Sequence, residues 1–166
     1  MIDERKVVLV DTNILLDYAL PIRSPHLEAV RFVEQADTSS SIELCCFGGS
    51  LKDFYYVYQQ EQKRIIRQMQ GELTEAGALT ANELAWSFID VLEQFFTIVP
   101  CDMRTVWMAR KLKGICSDFE DCLLLAACEL ADADFLVTND EHLQKIAPIK
   151  AADAKAALTL LQPFFD

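Results

Sequence analysis

The apolar run of residues 7–10 ends abruptly at Asp11, and the polar residues 11–13 are followed by a second apolar run at residues 14–16. This pattern predicts a buried strand that passes through a tight turn into a helix, with a carboxylate at the carboxyl end of the strand. The pattern recurs where Phe135–Val137 gives way to residues 138–140. Ligands bind at this edge of open α/β sheets, so the two strand ends could hold a divalent cation between them.

Short apolar runs alternate with longer segments of helical periodicity, which predicts an α/β fold with right-handed crossovers. We expect a three-layer α/β/α sandwich around a central, mostly parallel sheet. The predicted strands are residues 7–10, Ile42–Phe47, 96–99 and Phe135–Val137, with an edge strand at Ile149. The predicted helices are 14 onward, 25–36, 50–70 with Ser50 as N-cap, 82–95, 103–113, 119–131, Glu141–Ile146 and 152–161; residues 71–81 are predicted as a turn region.

Composition is typical of a globular protein, and we expect residues 1–166 to form a single domain. Hydrophobic residues make up 52% of the chain and charged residues 25%. No apolar run reaches the ~18 residues that a membrane span needs, and residues 1–6 do not resemble a secretory signal. The six cysteines form no C-x-x-C pair, which favours free thiols in a reducing cytoplasm.

The formal net charge of −11 argues against tight autonomous binding of nucleic acid, because phosphate binding usually leaves a basic footprint. It does not argue against contact with nucleic acid, since a metal site built from clustered acids also adds negative charge. With only 2 histidines in the chain, the chemistry available is mainly that of carboxylates.

Each acidic candidate has a structural interpretation when it is taken alone. Asp11 could form an Asx turn or cap the next helix, and Asp140 could cap residues Glu141–Ile146. Residues 117–121 contain two pairs with the spacing of a capping box, but this does not explain three acids in one helical turn. Asp121 also heads an apolar stretch, so a half-buried carboxylate there needs a partner.

Taken together, Asp11, Asp121 and Asp140 point to a metal site. All three fall at the carboxyl ends of predicted strands or in the first turn of a helix, and those places meet at one edge of a parallel sheet. Like charges suppress one another's ionisation, so a cation is the natural partner. Oxygen ligands without His or Cys suit Mg²⁺ or Mn²⁺.

Four segments, taken in order along nearly the whole chain, resemble the PIN-domain nucleases. They are residues 9–13 (LVDTN), 50–56 (SLKDFYY), 118–121 (DFED) and 136–140 (LVTND). Each segment is short, but their order and approximate spacing match the family. The resemblance implies a VapC-like toxin: a Mg²⁺- or Mn²⁺-dependent endoribonuclease that cleaves RNA and is neutralised by a cognate antitoxin.

Carried over residue by residue, the resemblance makes four aspartates the metal-binding and catalytic acids: Asp11, Asp53, Asp121 and Asp140. Asp118 becomes an auxiliary ligand or a group that supports a ligand, and Thr12, Asn13 and Thr138 become residues that orient the ligands or a metal-bound water. The family more often has Glu at position 53. Because Asp is one methylene shorter, direct contact with the metal requires a closer helix, and contact is otherwise made through water. A solvated Asp53 with no role at the metal is the structural interpretation.

The segment at about 59–83 is predicted as a helical excursion. In VapC-like chains a helical hairpin here supports dimers or contacts RNA or antitoxin, so a homodimer is expected from the resemblance and from the apolar positions of residues 59–70. Basic residues could contact phosphate there: Lys52, Lys63, Arg64 and Arg67. A solvated helix of mixed charge explains them equally well.

Two other functions account for part of the pattern. A haloacid-dehalogenase-like phosphatase needs a second acid two residues after its aspartate, and this chain has Asn13 there. The second alternative is a PIN-like binding module with weak or no catalytic activity, which would bind Mn²⁺ without cleaving RNA.

Overall fold

A computed structural model describes residues 5–165. Residues 1–4, part of the segment in which no secretory signal is predicted, and residue 166 lie outside the described range. Within that range the structure has five strands: β1 (Lys6–Val10), β2 (Ile42–Phe47), β3 (Thr97–Val99), β4 (Phe135–Val137) and β5 (Lys150–Ala152). The helices of the same range are α1 (Thr12–Ala19), α2 (His26–Thr38), α3 (Gly48–Gln70), α4 (Glu75–Phe95), α5 (Met103–Leu112), α6 (Phe119–Leu130), α7 (Glu141–Ile146) and α8 (Ala154–Leu160), with a 3₁₀ turn at Gln162–Phe164.

The strands form one sheet in the order β3-β2-β1-β4-β5, and every pairing is parallel. The central strand β1 is bonded to β2 on one side and to β4 on the other. Strands β2 and β3 lie on one side of β1, and strands β4 and β5 lie on the other side. The strand order therefore reverses at β1, which is the position where open α/β sheets form their ligand crevice.

Helices cover both faces of the sheet, as the alternation of side chains along β1 requires. Val8 and Val10 join a core cluster with Phe32 of α2 and Leu92 of α4. Leu9 points to the other face and joins a second cluster with residues of α5, α6 and α7. The predicted three-layer α/β/α sandwich is confirmed, and the sheet is parallel throughout the described strands.

Two predicted helix starts are wrong. Helix α3 begins at Gly48, with Phe47 as its N-cap, so Ser50 lies inside the helix and does not cap it. A side chain at Gly48 would approach the Val99 carbonyl oxygen at 3.2 Å, so glycine lets the helix start close against β3. Helix α4 begins at Glu75, within the predicted turn region, because the Thr74 hydroxyl accepts a hydrogen bond from the Gly77 amide at 3.1 Å.

The remaining boundaries shift by only a few residues. The predicted edge strand at Ile149 is found one residue later, as β5, and the last helix begins at Ala154. The predicted excursion at about 59–83 consists of the end of α3 and the start of α4. Helix α3 continues without a break to Gln70 and is capped by Gly71, whose φ of 84° is typical of a glycine C-cap. None of the helices in residues 5–165 combines the length and the apolar character needed to cross a bilayer.

Candidate metal centre

A cleft of about 510 Å³ lies at the carboxyl ends of the central strands. Its walls come from the β1–α1 connection, the first turns of α3 and α6, and the start of α7. The lining residues are Asp11, Thr12, Asn13, Leu16, Phe47, Gly49, Ser50, Lys52, Asp53, Phe119, Glu120, Asp121, Leu123, Leu124, Asp140 and Leu143. The cleft therefore brings together side chains that lie more than a hundred residues apart in the sequence.

Asp11 lies at the base of this cleft and is held by three hydrogen bonds. The Thr12 amide donates to Oδ1 at 2.6 Å, which makes Asp11 the N-cap of α1. The Asn13 side-chain amide and the Thr138 hydroxyl both donate to Oδ2, each at 2.6 Å. Because both carboxylate oxygens are fixed, the direction in which Asp11 faces the cleft is determined by its neighbours.

The carboxylates of the cleft lie in one another's electrostatic field. Burial raises the pKa of Asp11, the hydrogen bonds from Thr138 and Thr12 lower it, and the carboxylates of Asp121 and Asp140 raise it further. The pKa of Asp121 is also raised, first by burial and then by the carboxylates of Asp118 and Asp140. The charges of Asp11, Asp121 and Asp140 therefore oppose one another across the cleft.

Asp140 and Asp118 both act as helix N-caps, as their structural interpretation predicts. Asp140 Oδ1 accepts from the His142 and Leu143 amides of α7, and Asp118 Oδ1 accepts from the first amides of α6. In both residues, Oδ2 has no hydrogen-bond partner within residues 5–165. Capping therefore leaves one oxygen of each residue available. Asp140 lines the cleft, whereas Asp118 lies outside its lining.

Asp53 lies on α3 and faces the cleft from another wall than Asp11. Its Oδ1 forms an ion pair with Lys52 Nζ at 3.1 Å, and its side chain is 44% exposed. Lys52 is 81% exposed and also lines the cleft, so it places a positive charge beside the acids. Asp53 is half-buried, as are Asp11 and Asp121, whereas Asp140 is exposed.

The residues predicted to orient the ligands lie close to Asp11. Thr12 and Asn13 line the cleft, and Thr138 is fully buried behind it. The Thr138 hydroxyl donates to Asp11 and accepts from the Asp140 amide at 3.0 Å, so it contacts two of the predicted acids. Within the described part of the chain, however, no three His, Cys, Asp or Glu side chains stand close enough together to hold a metal ion as they are placed.

A buried network behind Asn13 was not predicted from the sequence. Asp17 of α1 is fully buried and forms an ion pair with Arg23, and it also accepts a hydrogen bond from the Asn139 side chain. The Asn139 backbone amide donates to Asn13 Oδ1 at 3.1 Å. The signal in the sequence was the single aspartate inside the apolar run of α1, because a buried charge requires a partner.

Asp121 also has a neighbour that the sequence did not reveal. The Cys116 thiol lies 3.7 Å from Asp121 Oδ2 and 3.5 Å from the Asp118 carbonyl oxygen. Burial raises the pKa of Cys116 to about 11, so the sulfur carries a proton at neutral pH and acts as a donor. Five of the six cysteines are buried and all six are free, as predicted.

Comparisons with known proteins agree with this architecture. A family model described as a PIN domain matches residues 7–142. No curated protein sequence matches the chain. FitAcB from Neisseria gonorrhoeae aligns with a TM-score of 0.60 at 11% identity, covering 89% of this chain and 97% of that chain.

Two further solved structures have similar folds. VapBC2 from Rickettsia felis, bound to a DNA fragment from their promoter, aligns with a TM-score of 0.59 at 14% identity, covering 89% of this chain and 98% of that chain. VapBC-1 from nontypeable Haemophilus influenzae aligns with a TM-score of 0.57 at 15% identity, with the same coverage of 89% and 98%. At these identities the similarity shows a shared fold and nothing further.

Proposed function

Because the chain belongs to the PIN domain family, we propose that it is a metal-dependent endoribonuclease that hydrolyses RNA phosphodiester bonds in the acidic cleft. The observation that carries the proposal is the convergence of Asp11, Asp121 and Asp140: the carboxylates of Asp121 and Asp140 raise the pKa of Asp11, and that of Asp140 raises the pKa of Asp121. Such repulsion costs stability, and a bound cation would remove the cost. A site that needs a cation is therefore the simplest reason for this arrangement.

The donors of the cleft suit Mg²⁺ or Mn²⁺. They are carboxylate, amide and hydroxyl oxygens, which these hard cations prefer to nitrogen and sulfur. Asp11, Asp121 and Asp140 would hold the ion, with Asp53 as a fourth ligand and Asp118 as an auxiliary group. Thr12, Asn13 and Thr138 would hold Asp11 in the required orientation through the hydrogen bonds described above.

The cleft also offers the groups that hydrolysis requires. When bound, a divalent cation would neutralise charge on the phosphodiester and lower the pKa of an attacking water. Either Asp121 or Asp140 would accept the one proton that the water loses as its oxygen bonds to the phosphorus. The bond between phosphorus and the leaving oxygen breaks, and that oxygen would take up a proton from solvent. Lys52 would place its ammonium group against the phosphate that enters the cleft.

A PIN-like binding module without turnover is the second candidate. It is favoured by the Lys52–Asp53 ion pair and by the lack of a ready-made cluster of three metal ligands in residues 5–165. In this case the cleft would bind Mn²⁺ and leave RNA intact. The experiment that follows distinguishes the two functions.

The test is cleavage of total RNA by the purified protein with Mn²⁺, with and without EDTA. We expect cleavage that EDTA stops and that the double variant Asp11→Asn/Asp121→Asn loses by at least about a hundredfold, because both predicted ligands are replaced. Asp153→Asn is the matched control, since Asp153 is an N-cap outside the cleft lining. Unchanged cleavage by the double variant would refute the proposal. Mn²⁺ binding without any cleavage would favour the binding module.

We further propose that the protein is the toxin of a toxin–antitoxin pair and forms a homodimer in the cytoplasm. The fold similarity to chains in VapBC structures and the resemblance to VapC-like toxins support a cognate antitoxin. Exposed apolar side chains on α3 and α4 offer a surface that a second chain could cover; they include Tyr56, Met69, Leu79 and Trp86. The buried free thiols support a reducing compartment.

A further inference from the structure

We propose that Asp17 and Arg23 are positioning residues that set the orientation of Asp11 through Asn139 and Asn13. The inference rests on the ribonuclease function proposed above, because it assigns a role in forming the same metal centre. Asp17 is not one of the four predicted acids, and it does not line the cleft.

A buried ion pair holds Asp17 in place. Asp17 has no exposed surface, and both of its oxygens are used: Arg23 Nε donates to Oδ1, and the Asn139 side-chain amide donates to Oδ2. Arg23 is 37% exposed, so its charge reaches solvent while Asp17 stays dry. The buried carboxylate thus has one guanidinium donor and one amide donor. It is held rigidly, because the loss of either bond leaves a buried oxygen without a partner.

Asn139 and Asn13 connect this ion pair to Asp11. Asn139 N donates to Asn13 Oδ1 at 3.1 Å, which turns the oxygen of the Asn13 amide toward Asn139. Its nitrogen therefore points the other way, where Nδ2 donates to Asp11 Oδ2 at 2.6 Å and lies 3.3 Å from Thr138 Oγ1. The Asn13 amide has one acceptor end and one donor end, so the contact with Asn139 selects the end that faces Asp11.

The network lies between the segment after β1 and the segment after β4. Asp17 belongs to α1, which follows Asp11, and Asn139 lies between β4 and Asp140. The bond between Asp17 and Asn139 thus joins the two chain segments that carry two of the predicted ligands. A buried ion pair is a weak source of stability compared with well-packed apolar side chains, whereas it is well suited to fixing a geometry.

Two single variants cut the network at different points. Asn139→Ala removes the side-chain bond at a partly exposed residue and leaves the backbone amide in place. Asp17→Asn offers only one acceptor, so its amide nitrogen must face either Arg23 or Asn139, and one bond is lost. Ser39→Ala is the matched control, because the Ser39 hydroxyl is also buried and joins distant segments by donating to the Phe164 carbonyl oxygen, outside the cleft.

The measurements are the Mn²⁺ dissociation constant by calorimetry, kcat and KM for RNA cleavage, and the melting temperature. We expect Asn139→Ala and Asp17→Asn to weaken Mn²⁺ binding and lower kcat by about 10-fold or more, with KM for RNA unchanged. We also expect the double variant to bind Mn²⁺ no more weakly than the worse single variant, since both changes cut one network. Ser39→Ala should lower the melting temperature alone.

The result that overturns the inference is a wild-type protein that binds Mn²⁺ and two variants that bind it equally well, with melting temperatures lowered as in Ser39→Ala. The network would then only stabilise the fold, and the proposed function would be unaffected. A wild-type protein that neither binds Mn²⁺ nor cleaves RNA would instead refute the proposed function, together with this inference. Asn139→Ala keeps the test decisive if Asp17→Asn does not fold.

Discussion

Thr138 shows how a single side chain can serve both stability and the candidate site. Its hydroxyl is fully buried, donates to Asp11 Oδ2 and accepts from the Asp140 amide, while its backbone amide continues the sheet by donating to the Ala152 carbonyl oxygen. A valine of nearly the same shape would preserve the packing and remove only the hydroxyl. The substitution therefore separates the contribution of these hydrogen bonds from that of the core.

We predict that Thr138→Val lowers the free energy of unfolding by about 1–3 kcal/mol, because Asp11 and the Asp140 amide each lose a buried partner. It should also weaken Mn²⁺ binding. Urea unfolding and calorimetry measure the two effects. Thr105→Val is the matched control, since Thr105 is equally buried and its hydroxyl contacts Pro100 and Asp102 outside the cleft. Equal loss of Mn²⁺ binding in both variants would contradict a specific role for Thr138.

Sequence reasoning at this scale predicted the residues that lie at strand ends and could not predict their partners. Asp11 and Asp140 were predicted because each follows an apolar run, and Asp121 because it heads one; all three line the cleft. Asp17 and Arg23 did not follow, because their pairing depends on the path of the chain between α1 and α2. Their roles at the site, like those of the acids, await the experiments above.

Among the elements, β1 and β4 are fastened at the end opposite to the cleft. Asp134, just before β4, accepts from the Val7 amide through Oδ2 and from Lys6 Nζ through Oδ1, both at 2.9 Å. The Asp134 amide also donates to the Val7 carbonyl oxygen at 2.8 Å. These bonds set the register in which Val10 pairs with Val137, and that register places Asp11 beside Thr138.

The stabilising effect of Asp134 should depend on pH. Burial alone would raise its pKa, but the Val7 amide and the Lys6 ammonium group together hold the pKa below its ordinary value of 3.8. The unfolded chain therefore binds the proton first, and the contribution of Asp134 is present above about pH 4 and lost as the pH falls through the folded-state pKa.

We predict that Asp134→Asn lowers the free energy of unfolding at pH 7 by about 1 kcal/mol or less, because the pair is partly exposed and screened by solvent. The difference from wild type should shrink by pH 3. Urea unfolding at both values measures it. Asp90→Asn, an exposed aspartate on α4, controls for the change in net charge. A difference that grows toward acid pH would contradict a lowered pKa of Asp134 in the folded protein.

The bounds of an element were predictable where local hydrophobic periodicity sets them. They were less predictable where a helix cap or contact with a neighbouring strand sets them. Strands β2 and β4 and helix α7 were predicted with their observed bounds. The start of α4 was missed because residues 75–81 lack a clear apolar face in the sequence, whereas the Thr74 cap fixes the start in the structure. The start of α3 was missed because Gly48 is a helix breaker by propensity and is needed here for close contact with β3.

At the scale of the whole molecule, α3 and α4 pack against each other and carry apolar side chains that this chain alone leaves exposed. Leu79 and Trp86 lie seven residues apart on α4, so they share one face of the helix. They are 59% and 60% exposed, respectively. The ring of Trp86 also contacts Tyr55 of α3, with 5.4 Å between the ring centroids. This face is where we place the proposed homodimer contact.

We predict that Leu79→Glu converts the homodimer to a monomer, because two-fold symmetry brings each new charge into the contact twice and the protomer already carries a net charge of −11. Analytical ultracentrifugation over a range of concentrations measures the change. Met103→Glu is the matched control, since Met103 is 85% exposed on α5 and lies on the opposite layer of the sandwich. A wild-type protein that sediments as a monomer would refute the proposed dimer.

The position of β4 between β1 and β5 has a consequence for the time at which the cleft first exists. The ribosome makes Asp11 before Thr138 and Asp140, which reach it only after more than a hundred further residues have been added. A nascent chain with β1, β2 and β3 in place still lacks one wall of the cleft. If the protein cleaves RNA, the order of its strands therefore keeps each copy inactive until β4 and Asp140 have been synthesised.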